Sequence, residues 1–200
     1  QDLGSITGPI GLSTHNLFEP EKDPLQQHCK KLGLTNALGA RVKVIQVPVY
    51  LAPGDGIFDL PYEAVLRAMD LSCFPSFYEP WGYTPEESLA VGVPTITTDC
   101  AGFGRFAREA GLKWEHGVHV LTRIGVDDTT AGKQLAELLE VVLAEERDRA
   151  DVYEACRKTA RLTAWSDLIA HYEAAFAKAR ELASKRATGR AAFRPKTAVP

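Results

Sequence analysis

Two short apolar runs, Leu71 to Phe74 and Pro94 to Thr98, enclose a stretch that breaks at Pro75-Ser76, turns at Gly82 and carries helix formers from Pro85 to Val91 before stopping at Gly92. Strand, helix and strand at this spacing predict a right-handed βαβ crossover, hence an α/β fold built on a parallel sheet with flanking helices. The same pattern fixes where chemistry belongs. Open sheets of this kind bind ligands outside the carboxyl ends of their strands, and the loop at that end of the first strand reads Phe77-Tyr78-Glu79-Pro80-Trp81-Gly82-Tyr83-Thr84-Pro85-Glu86-Glu87.

The flanks extend the reading. Residues 1–40 form an irregular lead-in rich in Gly, Pro, Asn and Ser, with one helix expected near Asp23 to Leu32. Arg41 to Val47 is a β-branched run that predicts a buried strand, ended by Pro53-Gly54-Asp55-Gly56. Tyr62 to Met69 suits a short helix. After a loop at Ala101-Gly102, Gly117 to Leu121 is a further strand, followed by three helical segments. Leu135, Leu138, Leu139, Val142 and Leu143 make one apolar stripe, and Trp165, Leu168, Ile169, Tyr172 and Phe176 another. The main domain is thus expected over 41–185. Residues 186–200, with Arg186, Arg190, Arg194 and Lys196, are expected as a basic, disordered tail, more readily solvated than committed to a polyanion.

Composition excludes several classes. Of 200 residues, 45% are hydrophobic and 24% charged, enough for a globular core, and the formal net charge of -3 gives no general attraction to nucleic acid or an anionic membrane. No apolar run approaches a membrane span, and the first residues lack the pattern of a signal peptide. Cys29, Cys73, Cys100 and Cys156 lie far apart, and the histidines do not cluster with them, so neither a disulfide framework nor a metal site is expected. A reducing cytoplasm is the expected location.

Two carboxylates frame the glycine turn, and they differ in standing. Thr84-Pro85-Glu86-Glu87 reads as a helix start with Thr84 as N-cap, Pro85 at the first helical position and Glu87 closing a capping box, so Glu87 has a structural explanation. Glu79 has none of this kind, because it follows a buried strand directly and no cap requires it. A helix opening at this turn offers backbone N–H groups and a dipole to a phosphate, and Gly82 permits close approach. Together they suggest a nucleotide-sugar site.

The run Glu79-Pro80-Trp81-Gly82-Tyr83-Thr84-Pro85-Glu86-Glu87, continued by Gly92-Val93-Pro94-Thr95-Ile96-Thr97-Thr98 and Gly102-Phe103-Gly104, closely resembles the glycogen synthases of fungal and animal type. Ser13-Thr14-His15-Asn16, Asp23-Pro24 and Arg41-Val42-Lys43-Val44-Ile45 resemble them too, so the similarity spans roughly residues 10–185. The resemblance implies the C-terminal, Rossmann-like half of a two-domain GT-B transferase that moves glucose from UDP-glucose to an α-1,4-glucan with retention. By the same resemblance Glu79 is the leading catalytic residue, beside the donor glucose. Gly82, Tyr83 and Thr84 would contact diphosphate or glucose, Glu87 the ribose, and Tyr62 would stack on uracil. No metal or other cofactor is implied. The partners implied are the donor, the glucan acceptor and an N-terminal Rossmann domain carrying the basic diphosphate clamp, without which the chain is expected to be inactive. A homo-oligomer of the complete protein is left open.

Departures and rivals bear on that reading. The family's usual His-Pro-Glu is Val47-Pro48-Val49 here, and where animal and fungal members carry an arginine-dense effector helix, Arg147, Arg149, Arg157 and Arg161 are mixed with acids, so a sugar-phosphate switch is not expected. Related ADP-glucose synthases typically read Glu-Pro-Cys-Gly-Leu and the sucrose-synthase-like group Glu-Gly-Phe-Gly, which favours UDP-glucose while keeping both as alternatives. A non-catalytic nucleotide-sugar module is a further alternative. Gly102-Phe103-Gly104-Arg105-Phe106-Ala107 formally fits a dinucleotide fingerprint, but no acid follows at the spacing ribose binding needs, and Asp127 falls too late.

Overall fold

A computed structural model of the chain describes residues 11–192, with side chains described as far as residue 188. The chain divides into two compact units between Val65 and Leu66.

In the first unit, helix α1 (Pro24–Lys31) starts as its sequence predicts: Asp23 accepts the Gln26 N–H at 2.9 Å, and Pro24 sits at the start, where no N–H is needed. Cys29 is its buried residue. The strand expected over Arg41 to Val47 does not form. Gln46 makes an isolated parallel bridge to Ser13, and Val44 exchanges hydrogen bonds with the buried Asn36 side chain at 2.7 and 2.8 Å. Val42 and Ile45 stay 58% and 63% exposed, and among the described residues the β-branched run is extended chain with no sheet face to cover it. Helix α2 (Tyr62–Arg67) follows as expected, with the division between the units falling inside it.

The second unit is the predicted parallel α/β arrangement. Its sheet runs β1 (Ser72–Cys73), β2 (Thr95–Thr98) and β3 (Val118–Leu121), ordered in space as in sequence, with all pairs parallel. The register sets Ser72 beside Thr95 and Thr95 beside Val118. Helix α3 (Tyr83–Ala90) links the first pair and α4 (Gly102–Glu109) the second. Beyond β3 come α5 (Asp128–Ala144), α6 (Arg149–Ala160) and α7 (Trp165–Ala192).

The core gathers Leu89, Phe103, Ala107, Val118 and Cys156, with Trp81, Phe106 and Val152 packed against it. Each fully buried large apolar side chain of this kind contributes roughly 1.5–3 kcal/mol. Gly92 ends α3 at φ +85°, and a Cβ there would overlap the Tyr153 ring of α6, so the turn that frees the chain from α3 also lets α6 approach.

Two boundaries differ from expectation, and the α7 stripe stays largely exposed. Helix α4 replaces the loop expected after Ala101. Its first glycine would place a Cβ 2.3 Å from Pro80 O and its second 2.0 Å from Thr98 O. These residues therefore serve close packing of a helix, not a flexible loop. Segment 186–200 is not a tail throughout, since α7 continues to Ala192, and 193–200 lie outside the described residues. The α7 stripe is not core: Trp165 is 59% exposed, and Trp165, Tyr172 and Phe176 stack along the helix at 5.2 and 6.4 Å between centroids.

Candidate functional site

The predicted site residues of the second unit gather in one turn at the carboxyl side of the sheet. Glu79 makes a parallel bridge to Ala101, the residue just before α4. Its N–H donates to Cys100 O at 3.3 Å, and its carbonyl accepts from Gly102 N at 3.1 Å. Two residues on, Trp81 O accepts from Phe103 N at 2.7 Å. The turn is thereby laced to the β2–α4 junction while the Glu79 side chain stays exposed.

The entrance to α3 is not the predicted one. Gly82, at φ +96°, is the N-cap, so the helix begins at Tyr83 and places Thr84 inside its first turn. No side chain caps it, and Glu87 forms no capping box. The correction has a physical cause: a left-handed glycine reverses the chain early enough that Pro85 falls third in the helix, where it still costs no bond because the first N–H groups have no helical partner. Among the described residues, no protein acceptor takes the N–H of Gly82, Tyr83 or Thr84. Glu79 and Glu87 carboxylates are likewise without hydrogen-bond or ion-pair partners there. Tyr83, 62% exposed, and Thr84 lie open beside them. Tyr62 opens α2 in the first unit and is half-buried.

The neighbouring helix start is closed by contrast. At α4 the N–H groups of Gly102 and Phe103 are consumed by Glu79 O and Trp81 O, and both glycines of the dinucleotide-like run abut backbone. A diphosphate therefore finds the first two N–H groups of that helix already taken. The dinucleotide reading loses its physical basis.

Asp99, which sequence reasoning passed over, organises the same edge from below. Its buried carboxylate accepts from the backbone N–H of Arg123 at 2.7 Å and of Ile124 at 3.1 Å, and pairs with Arg108 at 2.8 Å. Burial opposes its charge, but these donors outweigh burial and hold the carboxyl below its ordinary range. It thus ties the end of β2 to the turn after β3, where the Arg123 guanidinium lies 4.0 Å from the Phe77 ring centre. Its only signal in sequence was an acid directly after a β-branched run.

At the opposite end of the strands, where Leu71 and Pro94 lead into β1 and β2, a cavity of about 660 Å³ is bounded by Trp114, Tyr153 and the arginines 67, 147 and 149. Arg147 pairs with Glu145 at 3.8 Å and Arg149 with Asp70 at 3.5 Å. Among the described residues, no three His, Cys, Asp or Glu side chains converge as a metal site would need, and no helix is long and apolar enough to cross a membrane.

Comparison with known proteins follows the same residues. The family model for glycogen synthase matches residues 7–195. The chain belongs to the glycogen synthase family. It is 33% identical over 178 residues to glycogen [starch] synthase isoform 1 of Saccharomyces cerevisiae, covering 87% of this chain and 25% of that protein. It is 35% identical over 129 residues to the liver glycogen [starch] synthase of Mus musculus, covering 64% and 18%, and 37% identical over 113 residues to that of Homo sapiens, covering 56% and 16%. The chain thus spans a quarter or less of the length of these glycogen synthases. The parallel α/β sheet is the fold expected of a glycosyltransferase fragment from this family.

Proposed function

We propose that this chain supplies the donor-binding half of a retaining glucosyltransferase that extends an α-1,4-glucan from UDP-glucose, in a protein whose other half completes the cleft as a second GT-B domain. The observation that carries the reading is the contrast between two adjacent helix starts: among the described residues the first N–H groups of α3 have no protein acceptor, whereas those of Gly102 and Phe103 at α4 are consumed. An open helix start beside an unpaired, exposed carboxylate suits a ligand that is anionic at one end and hydroxylated at the other, as a nucleotide sugar is.

In this reading the N–H groups of Gly82, Tyr83 and Thr84 receive the diphosphate or the glucose beside it. Glu79 accepts hydrogen bonds from glucose hydroxyls and offsets the positive charge that grows on the anomeric carbon as its bond to phosphate oxygen breaks. The bonding pair leaves with UDP. The acceptor 4-hydroxyl forms the new bond on the same face and gives its proton to the departing phosphate, so no protein base is required. Glu87 holds the ribose hydroxyls. For Tyr62 the family resemblance suggests stacking on uracil, and Tyr62→Ala tests that role separately. The reading requires no metal and no cofactor beyond the donor, and it places the protein in the cytoplasm.

Isothermal titration of the chain with UDP-glucose, ADP-glucose and NAD tests the reading. UDP-glucose is expected to bind, ADP-glucose more weakly, and NAD not at all. Binding of NAD with silence from both nucleotide sugars would overturn it, and preference for ADP-glucose would move the chain to the ADP-glucose alternative.

A further inference from the structure

Glu86 sits in the first turn of α3 beside Glu87, yet it is directed the other way. Its Oε2 accepts from Trp81 Nε1 at 2.7 Å, whereas its Oε1 is buried without a hydrogen-bond partner of its own. The nearby Thr163 hydroxyl has Ala160 O as a competing acceptor at 3.1 Å, so its proton is divided between that carbonyl and the carboxylate. A half-buried carboxylate with one orphan oxygen is costly, and helix capping does not explain it, because α3 has no side-chain cap.

What the bond does explain is the position of Trp81. The indole packs at 6.2 Å from the Phe103 ring, nearly perpendicular, and at 5.9 Å from Phe106, both on α4. Its backbone carbonyl takes the Phe103 N–H, and the residue two before it is Glu79. The turn is therefore gripped from both flanking helices: α4 holds it through backbone and aromatic contacts, and α3 holds it through Glu86. Among the described residues, the Glu86 bond is the side-chain hydrogen bond that joins the turn to α3.

We propose that Glu86 is a positioning residue for the nucleotide-sugar site, setting Glu79 and the Gly82 turn against the start of α3 by holding the indole of Trp81. This rests on the function proposed above, in that the ligand it positions for is UDP-glucose. Burial raises the Glu86 carboxyl above its ordinary range, with Trp81 and Thr163 acting in the opposite sense and the Glu87 charge adding to the rise. An acceptor oxygen is present in either protonation state, so the role asks for an acceptor and not for a charge.

The test uses the full chain in three variants: Glu86→Gln keeps an acceptor, Glu86→Leu keeps volume without one, and Trp81→Phe keeps the ring without the donor. UDP-glucose affinity is read by titration, and the Trp81 indole N–H by 15N NMR, assigned from its loss in Trp81→Phe. Glu86→Gln is expected to bind within about twofold of wild type, with the indole resonance still in its hydrogen-bonded position. Glu86→Leu and Trp81→Phe are each expected to lose about tenfold in affinity, the scale of one hydrogen bond. Should Glu86→Leu fail to fold by circular dichroism, Trp81→Phe carries the comparison. Wild-type affinity in Trp81→Phe, or equal losses in Glu86→Gln and Glu86→Leu, overturns the assignment. Absence of any UDP-glucose binding in wild type refutes the proposed function instead. In that event an indole resonance unmoved by Glu86→Leu overturns the positioning role as well, and a moved one upholds the grip on the turn.

Discussion

The Cγ of Glu79 stands 3.1 Å from where a Cβ on Gly82 would lie. The candidate catalytic carboxylate therefore leans on the one residue of its turn that has no side chain. Gly82 answers two demands at once, a φ of +96° that L-residues rarely adopt and room for the stem of Glu79. Gly82→Ala is expected to cost roughly 1–3 kcal/mol in stability from backbone strain alone. For a chain of this size that lowers the melting temperature by about 2–4 °C per kcal/mol. Thermal melts together with UDP-glucose titration check this. The variant should lose more affinity than its modest stability loss explains, because the added methyl displaces Glu79.

Asp99 supplies a prediction independent of any ligand. Its carboxylate is held by two backbone N–H groups and Arg108, and its side chain is 7% exposed. Removing one partner of such a cluster leaves buried donors without an acceptor, so Asp99→Ala is expected to cost about 2–4 kcal/mol. Its carboxyl is held low in the folded state, so its contribution is present above the unfolded carboxylate value of about 3.9 and is lost as pH falls through the lower folded value. Acid melts of wild type should steepen in that window, and Asp99→Asn should lack that part of the transition.

The alternation that gives β1, α3, β2 and β3 was legible because each element is short and bounded by Pro or Gly, so hydrophobic runs and breakers coincide with structure. Residues whose meaning depends on distant partners were not. Ala101-Gly102 read as loop because glycine weakens a helix, yet α4 needs Gly102, as it needs Gly104, where its backbone meets Pro80 and Thr98. Thr84 read as a cap because the local signature is good, but the signature carries no record that Gly82 turns the chain two residues earlier. Arg41 to Val47 has strand chemistry, and strand formation also needs a neighbouring strand, of which the described residues of the first unit provide only the bridge from Ser13 to Gln46. The carboxylates themselves were legible by position. What was not legible is that Glu86, the acid that looked like ordinary first-turn charge, faces inward to Trp81.

Glu86 predicts a pH response opposite in sign to that of Asp99. A carboxyl raised in the folded state binds its proton more readily folded than unfolded, so stability rises as pH falls from neutrality toward the unfolded value of about 4.3. Glu86→Gln carries no such ionisation. The melting temperature of Glu86→Gln relative to wild type should be most favourable at neutral pH, and the gap should narrow as pH falls toward that value. Parallel curves for the two proteins across this range would contradict the burial of the charge.

Cys156 is fully buried in the core, and burial pushes its thiol up to about 11. It should resist iodoacetamide in the native chain at pH 8 and react once denaturant is added. All four cysteines are free thiols, so mass spectrometry after alkylation should find no disulfide linkage. Native alkylation of Cys156 at a rate matching that in denaturant would mean that the contact between α6 and the start of β3 opens readily.

The decisive prediction concerns Glu79 in the complete protein, in which the proposed function expects a second half to close the cleft. Its carboxylate is exposed and without a protein partner among the described residues, so Glu79→Ala removes no hydrogen bond that the fold uses and little packing beyond the stem's contact with Gly82. The backbone bonds that hold the turn, to Cys100 and Gly102, are kept in the variant. The melting temperature should therefore stay within the small range usual for surface substitutions, about 0.5 kcal/mol of stability. Glucosyl transfer should fall by at least about 10²-fold, the scale for removing one group that stabilises developing charge. Glu79→Gln separates the two duties assigned to that carboxylate. It keeps an oxygen that accepts hydrogen bonds from glucose hydroxyls but carries no charge, so donor affinity should survive better than turnover. Turnover near wild type in Glu79→Ala would remove Glu79 from the reaction and return the catalytic assignment to the rest of the turn.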